Sequence, residues 1–191
     1  MAVAVTGGIG AGKTELLHAF ERHGAAVISS DEIVHELLRD DPGVKRAVAD
    51  HFGGRALDSD GDVDRAAVGA IVFEDREELR WLEELLHPRV IETYLRWREE
   101  LQQLRDPPAV CVTEVPLLYE VGEETRFDKV VAVTAVPEVR ARRSSHATAE
   151  REARLVPDEE KLRRADFALV NDGSLEALDA FAADVVAKLS W

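Results

Sequence analysis

Residues 6–15, "TGGIGAGKTE", are the stretch from which the fold can be predicted. Within it, residues 7–14 fit the pattern G-x-x-x-x-G-K-[ST] at every specified position. Backbone N–H groups can surround a phosphate only where no side chains intervene, so glycines are expected throughout such a loop. The glycines that we expect to line the phosphate are Gly7, Gly8, Gly10 and Gly12.

The last two positions of the pattern carry polar side chains. We expect Lys13 to reach the β- and γ-phosphates of a nucleotide, and Thr14 to place its hydroxyl on Mg²⁺. A glycine-rich turn followed by a chance lysine is the alternative. An apolar run at residues 2–6 precedes the loop and a helical pattern follows it, so the positive end of a helix would face the anion. This placement favours a nucleotide phosphate site.

The loop alone is compatible with a small-molecule kinase, a GTPase, a motor or an ATPase subunit. The chain has no N-K-x-D motif of the kind that reads guanine, which disfavours a GTPase. Its 191 residues are also too few for most large ATPase modules. The rest of the sequence must therefore decide the class.

Short apolar runs alternate with helical patterns along the chain. The runs that predict strands are residues 2–6, "AAVISSD" (25–31), "AVCVTEVPLLYE" (109–120), "KVVAVTA" (129–135) and "FALVND" (167–172). The longest helical region spans about residues 64–105, with an expected break at His87-Pro88, because proline disfavours helix in the residue before it. The alternation predicts an α/β fold, a P-loop NTPase-type parallel sheet flanked by helices, with ligands beyond the carboxyl ends of the strands.

The charge balance and the single cysteine limit the partners and the compartment. With 24 basic and 38 acidic residues, the formal net charge is −14, which repels nucleic acid and anionic membranes. Cys111 cannot form an internal disulfide and is expected to be a buried thiol. No signal peptide and no apolar run of about 20 residues are present, so we expect a cytoplasmic protein.

Three polar residues outside the loop are candidates for the site, and each also has an ordinary structural interpretation. Asp31, after the second strand, can accept a proton from a substrate hydroxyl or help to hold Mg²⁺, and it can also cap the helix that follows. Glu114 lies where an acid could approach Mg²⁺, or it is a solvated carboxylate at the sheet edge. His87, next to a proline, is by itself more typical of a structural hydrogen-bonding residue.

Taken in order, the motifs resemble those of the dephospho-coenzyme A kinases. "VTGGIGAGKTE" is similar to the opening T-G-G-I-G-[SA]-G-K-[ST] of that family, and in "GAAVISSDEIVHELL" Asp31 takes the place of the second aspartate of its D-A-D segment. The further segments that match in order are "VADHFGGRALDSDGDVDRAAVGAIVFED", "LLHPRV", "VPLLYE" and "EEKLRRADFALVNDGSLEAL". The glycine loop is shared by many families, whereas this ordered set is specific.

The resemblance implies a reaction and a set of site residues. ATP would bind with Mg²⁺, and the acceptor would be the ribose 3′-hydroxyl of dephospho-coenzyme A, a small-molecule partner. The implied catalytic residues are Lys13, Asp31 and Arg143. The implied nucleotide-binding residues are Gly8, Ile9, Gly10, Ala11, Gly12, Lys13, Thr14, Asn171 and Gly173, with Thr14 also on the metal. The implied acceptor-side residues are Asp31, His87, Pro116, Leu117 and Leu118.

The resemblance also implies a division of the chain. One P-loop kinase domain would span residues 1–191, with a core of about 1–35, 108–136 and 165–191. A helical acceptor-binding lobe would take residues 36–107, and a short lid would take residues 137–164. The lid would exclude water, so that ATP is not simply hydrolysed. A monomer is expected.

The chain departs from the family pattern in the lid and after the second strand. The lid is several residues shorter, its R-D-G element is replaced by "RRSSHA", Leu155 stands where the family has glutamine, and Ser29 stands where it has its first aspartate. Arg142 or Arg143 would replace the first lid arginine, and Arg151 the later one. Three hypotheses follow: an active dephospho-coenzyme A kinase with a trimmed lid, a related kinase with another hydroxyl acceptor, or a nucleotide-binding homologue with weak transfer activity.

Overall fold

A computed structural model of the protein describes residues 1–143 and 155–190. The chain divides into two compact units. The first consists of Met1–Ser29 together with Glu100–Trp191, and the second of Ser30–Glu99. Within the described residues, no helix combines the length and the apolar character that crossing a membrane requires.

A parallel five-stranded sheet forms the centre of the first unit. Its strands are β1 (Ala2–Gly7), β2 (Ala26–Ser29), β3 (Cys111–Glu114), β4 (Lys129–Thr134) and β5 (Phe167–Val170). They lie in the order β2-β3-β1-β4-β5, so β1 is the central strand, paired in parallel with β3 and β4. All five predicted strands are present, and the predicted α/β fold with a parallel sheet is confirmed.

Helices connect the strands. In chain order they are α1 (Lys13–Arg22), α2 (Ser30–Asp40), α3 (Pro42–Phe52), α4 (Arg65–Glu74), α5 (Arg76–Gln102), α6 (Pro137–Arg143), α7 (Asp158–Arg164) and α8 (Leu175–Leu189). Short 3₁₀ turns occur at Gly53–Ala56 and Glu124–Arg126.

Alternate residues of β1 point to opposite faces of the sheet, as the period of a strand requires. Val3 and Val5 belong to a cluster with Phe20 of α1 and Leu178 of α8. Ala4, between the two valines, belongs instead to the cluster on the other face. Both faces of the central strand are therefore covered, which explains its unbroken apolar sequence. Cys111 is buried, as predicted.

The second unit has an apolar core of its own. Its buried members are Leu38, Val44, Val48, Phe52, Ala56, Val68, Leu82 and Leu86. Asp41 separates α2 from α3 and caps α3, because its Oδ1 accepts the Val44 N–H at 2.8 Å. The indole of Trp81 stacks on His51 with 3.7 Å between the ring centroids.

The predicted break at His87-Pro88 is wrong, because α5 continues through Pro88. Proline cannot donate to the carbonyl four residues earlier, which weakens one turn. Buried side chains recur every four residues on both sides of it, at Leu82, Leu86, Val90 and Tyr94. We attribute the continuous helix to burial of this face. The helical region is interrupted instead at Asp75, between α4 and α5. Asp75 Oδ1 accepts the Glu77 N–H at 2.8 Å and so caps α5.

A buried ion pair in the first unit joins α7 to the loop after β3. The Lys161 side chain is 1% exposed, and its Nζ lies 2.8 Å from Oε1 of Glu120, which is 13% exposed. The same Oε1 accepts the Val156 N–H at 2.9 Å. Removing one member of a buried pair leaves an uncompensated charge, which costs far more than removing both.

We expect Lys161→Met to lower the free energy of unfolding by about 3–5 kcal/mol, because Glu120 is left buried without its cation. Adding Glu120→Gln should recover more than half of that loss, since glutamine removes the charge and keeps an oxygen for Val156. Urea unfolding of the two variants measures both effects. The matched control is Lys188→Met, which breaks the exposed pair with Asp184 and should change little. A double variant no more stable than Lys161→Met contradicts the account.

Candidate functional site

The glycine loop begins at Gly7, the last residue of β1, beside the neighbouring strand β4. Gly7 pairs with Val133, and a Cβ at Gly7 would lie only 1.9 Å from the Val133 carbonyl oxygen. No side chain fits that space. The first glycine of the pattern is therefore required by contact between two backbones of the sheet, before any ligand is considered.

The loop ends at Gly12, directly before α1. Its φ is +94°, a left-handed conformation that favours glycine, and a Cβ there would lie 2.4 Å from Nδ2 of Asn171. That Nδ2 donates to the Ala11 carbonyl at 2.9 Å, and the Asn171 side chain is buried. The backbone N–H of Asn171 donates to Thr134 at the end of β4. Asn171 thus connects β4 to the loop.

Lys13 and Thr14 occupy the first turn of α1. The Lys13 ammonium extends back over the loop and donates to the carbonyls of Gly7 and Gly8, each at 3.1 Å. Thr14 is exposed at the second position of the helix. The N-cap residue of α1 is Gly12, which has no side chain with which to cap the helix. The helix therefore presents uncapped N–H groups and a cation to one space, which suits an anion.

Arg143, the predicted catalytic arginine, lies at the end of the loop where α1 begins. Its Nη1 donates to the Asn171 carbonyl at 3.2 Å and would be 3.6 Å from a Cβ at Gly12. Arg142, the alternative, is exposed and donates to the Glu138 carbonyl of its own helix. The structure thus brings together Gly8–Thr14, Asn171 and Arg143. Arg151 lies outside the described residues.

A second charged group borders the other end of the loop, and the sequence reasoning missed it. Arg140 donates from Nη1 to Oδ2 of Asp158 at 2.8 Å and from Nε to the Ile9 carbonyl at 3.0 Å. Thr134 also donates to Asp158 Oδ2, at 2.5 Å. The spacing of residues 140 and 143 was an available signal, because positions three apart share a face of a helix.

Glu114 ends β3 and is buried, so the interpretation of it as a solvated carboxylate is wrong. It pairs in register with Ser29 of β2, whose hydroxyl donates to Glu114 Oε2 at 3.0 Å. Ser29, which replaces the aspartate of the family pattern, thus donates a hydrogen bond to a buried acid. Both residues lie at the carboxyl ends of their strands, the edge at which the glycine loop begins.

The predicted acceptor-side loop follows Glu114. Pro116 is partly exposed and its carbonyl accepts from the Thr6 hydroxyl at 3.2 Å, and Leu117 is exposed. Leu118 is fully buried in the cluster with Tyr119, so its side chain faces the core. Burial raises the pKa of the Tyr119 phenol, which is therefore un-ionised at neutral pH.

The three remaining residues that the sequence predicted for the site are Asp31, His87 and Gly173. Asp31 belongs to the second unit, exposed in the first turn of α2, two residues after β2 ends. The sequence placed it at the end of the strand, and it lies on the helix instead. His87 also belongs to the second unit and lies partly buried within α5. Gly173 is exposed in the turn before α8.

The described residues contain no cluster of three or more His, Cys, Asp or Glu side chains that could hold a metal ion alone. Mg²⁺ in kinases is bound by few protein ligands together with phosphate oxygens and water. The exposed hydroxyl of Thr14 beside the glycine loop fits that kind of site. The Thr14 hydroxyl is a hard oxygen ligand, the type that Mg²⁺ prefers.

The family model and the curated relatives identify one family. The family model of dephospho-CoA kinase matches residues 1–177. A dephospho-CoA kinase from Streptomyces avermitilis is 38% identical over 194 residues, covering 98% of this chain and 93% of that protein. The solved structure of TT1252 from Thermus thermophilus superposes with a TM-score of 0.79 and 32% identity, covering 100% of this chain and 98% of the other. A dephospho-CoA kinase from Campylobacter jejuni superposes with a TM-score of 0.72 and 25% identity, covering 99% and 96%.

We expect Gly12→Ala to weaken ATP binding by about tenfold or more, because the new methyl displaces Asn171 and the loop it holds. Gly24→Ala is the matched control, since Gly24 also has a positive φ, +85°, but a Cβ there meets no described atom within 4 Å. Backbone strain should cost each variant about 1–2 kcal/mol of stability, and Gly12→Ala should lose more because its methyl also displaces the Asn171 side chain. Calorimetric titration with ATP separates them, and equal ATP affinities would contradict the role of Gly12.

Proposed function

The chain belongs to the dephospho-CoA kinase family, and from this premise we propose that it transfers the γ-phosphoryl group of ATP to the ribose 3′-hydroxyl of dephospho-coenzyme A. The products are coenzyme A and ADP, so the enzyme is a phosphotransferase with an alcohol acceptor. The observation that supports the proposal most is the glycine loop, with its ammonium group already in place, inside a match that runs along residues 1–177.

On the donor side, we assign the phosphates of ATP to Gly8–Thr14. Lys13 now donates to two carbonyls of the loop itself, and it would exchange them for oxygens of the β- and γ-phosphates. Arg143 would add a second cation at the Gly12 end, stabilising charge that develops on the transferred group. Asn171 and Gly173 would flank the adenine, with the Asn171 amide retained on Ala11.

On the acceptor side, we assign Asp31 as the general base. It would accept the proton of the 3′-hydroxyl while that oxygen forms its bond to the γ-phosphorus. The bond from the γ-phosphorus to the bridging oxygen breaks, and ADP leaves with the electron pair. Exposure of Asp31 in the first turn of α2 keeps its carboxylate available and near the positive end of a helix. His87 and the segment Pro116–Leu118 would contact the acceptor.

Thr14 would hold Mg²⁺, which when bound neutralises charge on the β- and γ-phosphates. Residues 36–107 would bind the acceptor and residues 137–164 would form the lid, with the core at about 1–35, 108–136 and 165–191. A monomeric state and a cytoplasmic location stay predictions from the sequence.

Asp31→Asn should lower kcat by about a hundredfold or more, because the variant cannot accept the proton. Its ATP affinity should not change. The measurement is ADP release from Mg-ATP with and without dephospho-coenzyme A, together with mass detection of coenzyme A. Glu32→Gln, which alters the adjacent exposed acid of the same helical turn, is the matched control and should keep full activity.

Other results of this assay would favour a different acceptor, a binding role without transfer, or a different general base. If the wild type binds ATP and forms no coenzyme A, a screen of acceptors by thermal shift tests for another hydroxyl substrate, because a true acceptor stabilises the folded state by mass action. If no acceptor stabilises the protein, it is a nucleotide-binding homologue. If Asp31→Asn retains full turnover, Asp31 is not the base.

Thr14→Ala should raise the Mg²⁺ concentration needed for half-maximal activity by about tenfold or more, because an oxygen ligand is lost. Thr14→Ser keeps the hydroxyl and should behave like the wild type. Removal of divalent cations with EDTA should abolish turnover, and added Mg²⁺ should restore it. Identical Mg²⁺ titrations of the alanine and serine variants would show that Thr14 is not a ligand.

A further inference from the structure

A carboxylate and a guanidinium group lie together against the glycine loop, and none of the assignments above uses them. Asp158 is the first residue of α7, and its Oδ2 accepts from both Arg140 and the Thr134 hydroxyl. Arg140 donates separately to the Ile9 carbonyl within the loop. The pair is largely buried, since the Arg140 side chain is 13% exposed and that of Asp158 is 25% exposed.

Both charged groups border the backbone of Gly8. A Cβ at Gly8 would lie 3.0 Å from Oδ1 of Asp158 and 3.3 Å from Cζ of Arg140. A Cβ at Gly10 would lie 3.0 Å from the Arg140 carbonyl oxygen. The residue that carries the guanidinium thus packs against two glycines of the loop, and any anion in the loop comes close to both charges.

The two charges respond to such an anion in opposite ways. A polyphosphate repels the Asp158 carboxylate and attracts the Arg140 guanidinium, and both effects are strong because the groups are shielded from water. Arginine can donate two parallel hydrogen bonds to phosphate oxygens as readily as to a carboxylate. Phosphate and Asp158 therefore compete for the same guanidinium.

We propose that Arg140 contacts the phosphates of the bound nucleotide, and that Asp158 competes with those phosphates by occupying the Arg140 guanidinium until the nucleotide arrives. Arg140 and Arg143 lie three residues apart on α6, so one face of this helix supplies a cation to each end of the loop. The inference rests on the proposed function only in that a nucleotide binds in the loop.

The test is calorimetric binding of AMP, ADP and ATP without any acceptor, at two salt concentrations. Arg140→Gln should weaken ATP binding by about tenfold or more, weaken ADP binding less and leave AMP binding unchanged, because a charged hydrogen bond to phosphate is lost. The salt dependence of ATP binding should become shallower. Asp158→Asn keeps an acceptor for Thr134 and removes the competing charge, so ATP should bind severalfold more tightly.

The control is Arg163→Gln on α7, whose exposed guanidinium pairs with Glu160 and which should bind all three nucleotides like the wild type. Arg140→Lys keeps the charge without the paired donors and should fall between the wild type and Arg140→Gln, so the test survives if the glutamine variant does not fold. The proposal is overturned if Arg140→Gln weakens the three nucleotides equally. It is also overturned if Asp158→Asn weakens ATP, since Asp158 then assists binding itself.

Because these measurements contain no acceptor, they are separate from the test of the transfer reaction. A wild type that binds ATP and forms no coenzyme A overturns the proposed reaction, and the dependence on phosphate number still decides the role of Arg140. A wild type that forms coenzyme A while Arg140→Gln binds ATP normally overturns only the role of Arg140.

Discussion

The contact between the backbones of Gly7 and Val133 is the constraint on which the site depends. β1 is the central strand, and at its carboxyl end the chain must leave the sheet past the neighbouring β4 without any side chain in the way. The same lack of side chains opens the loop to the anion. Asn171, bonded to the end of β4 and to Ala11, then fixes the far end of the loop. Sheet packing therefore requires glycine at residue 7, and the proposed phosphate site would require glycine for a separate reason.

The glycine loop is bordered by cationic side chains, although the protein as a whole is strongly acidic. The net charge of −14 would repel nucleotides if it were spread evenly. Lys13, Arg140 and Arg143 all lie against the loop, and each now bonds to a carbonyl or a carboxylate of the protein. Because protein groups already hold these cations beside the loop, the proposed phosphate site needs little reorganisation when an anion binds, which is the advantage of a preorganised site.

Much of the fold could be predicted because its signals are local. The five strands are short apolar runs, and the loop pattern fixes the start of α1. The helix break predicted at Pro88 does not occur. Proline disfavours helix locally, but burial of a whole face of α5 outweighs that effect, and this burial is visible only in the folded unit. Asp158 and Arg140 lie 18 residues apart, and no spacing rule joins them. The family motifs indicated Asp31 and Asn171, yet the bond from Asn171 to Ala11 spans 160 positions and is visible only in the folded chain.

Ser29 shows how a departure from a family pattern can be balanced nearby. Ser29 and Glu114 are register partners on adjacent strands, and both are buried. An aspartate at residue 29 would set two carboxylates side by side, and like charges in such positions repel and force one group to bind a proton. The serine hydroxyl donates a hydrogen bond to the glutamate instead. The substitution therefore leaves one buried acid with a donor at the edge where the nucleotide loop begins, and Asp31, two residues further on, carries the remaining carboxylate of the motif.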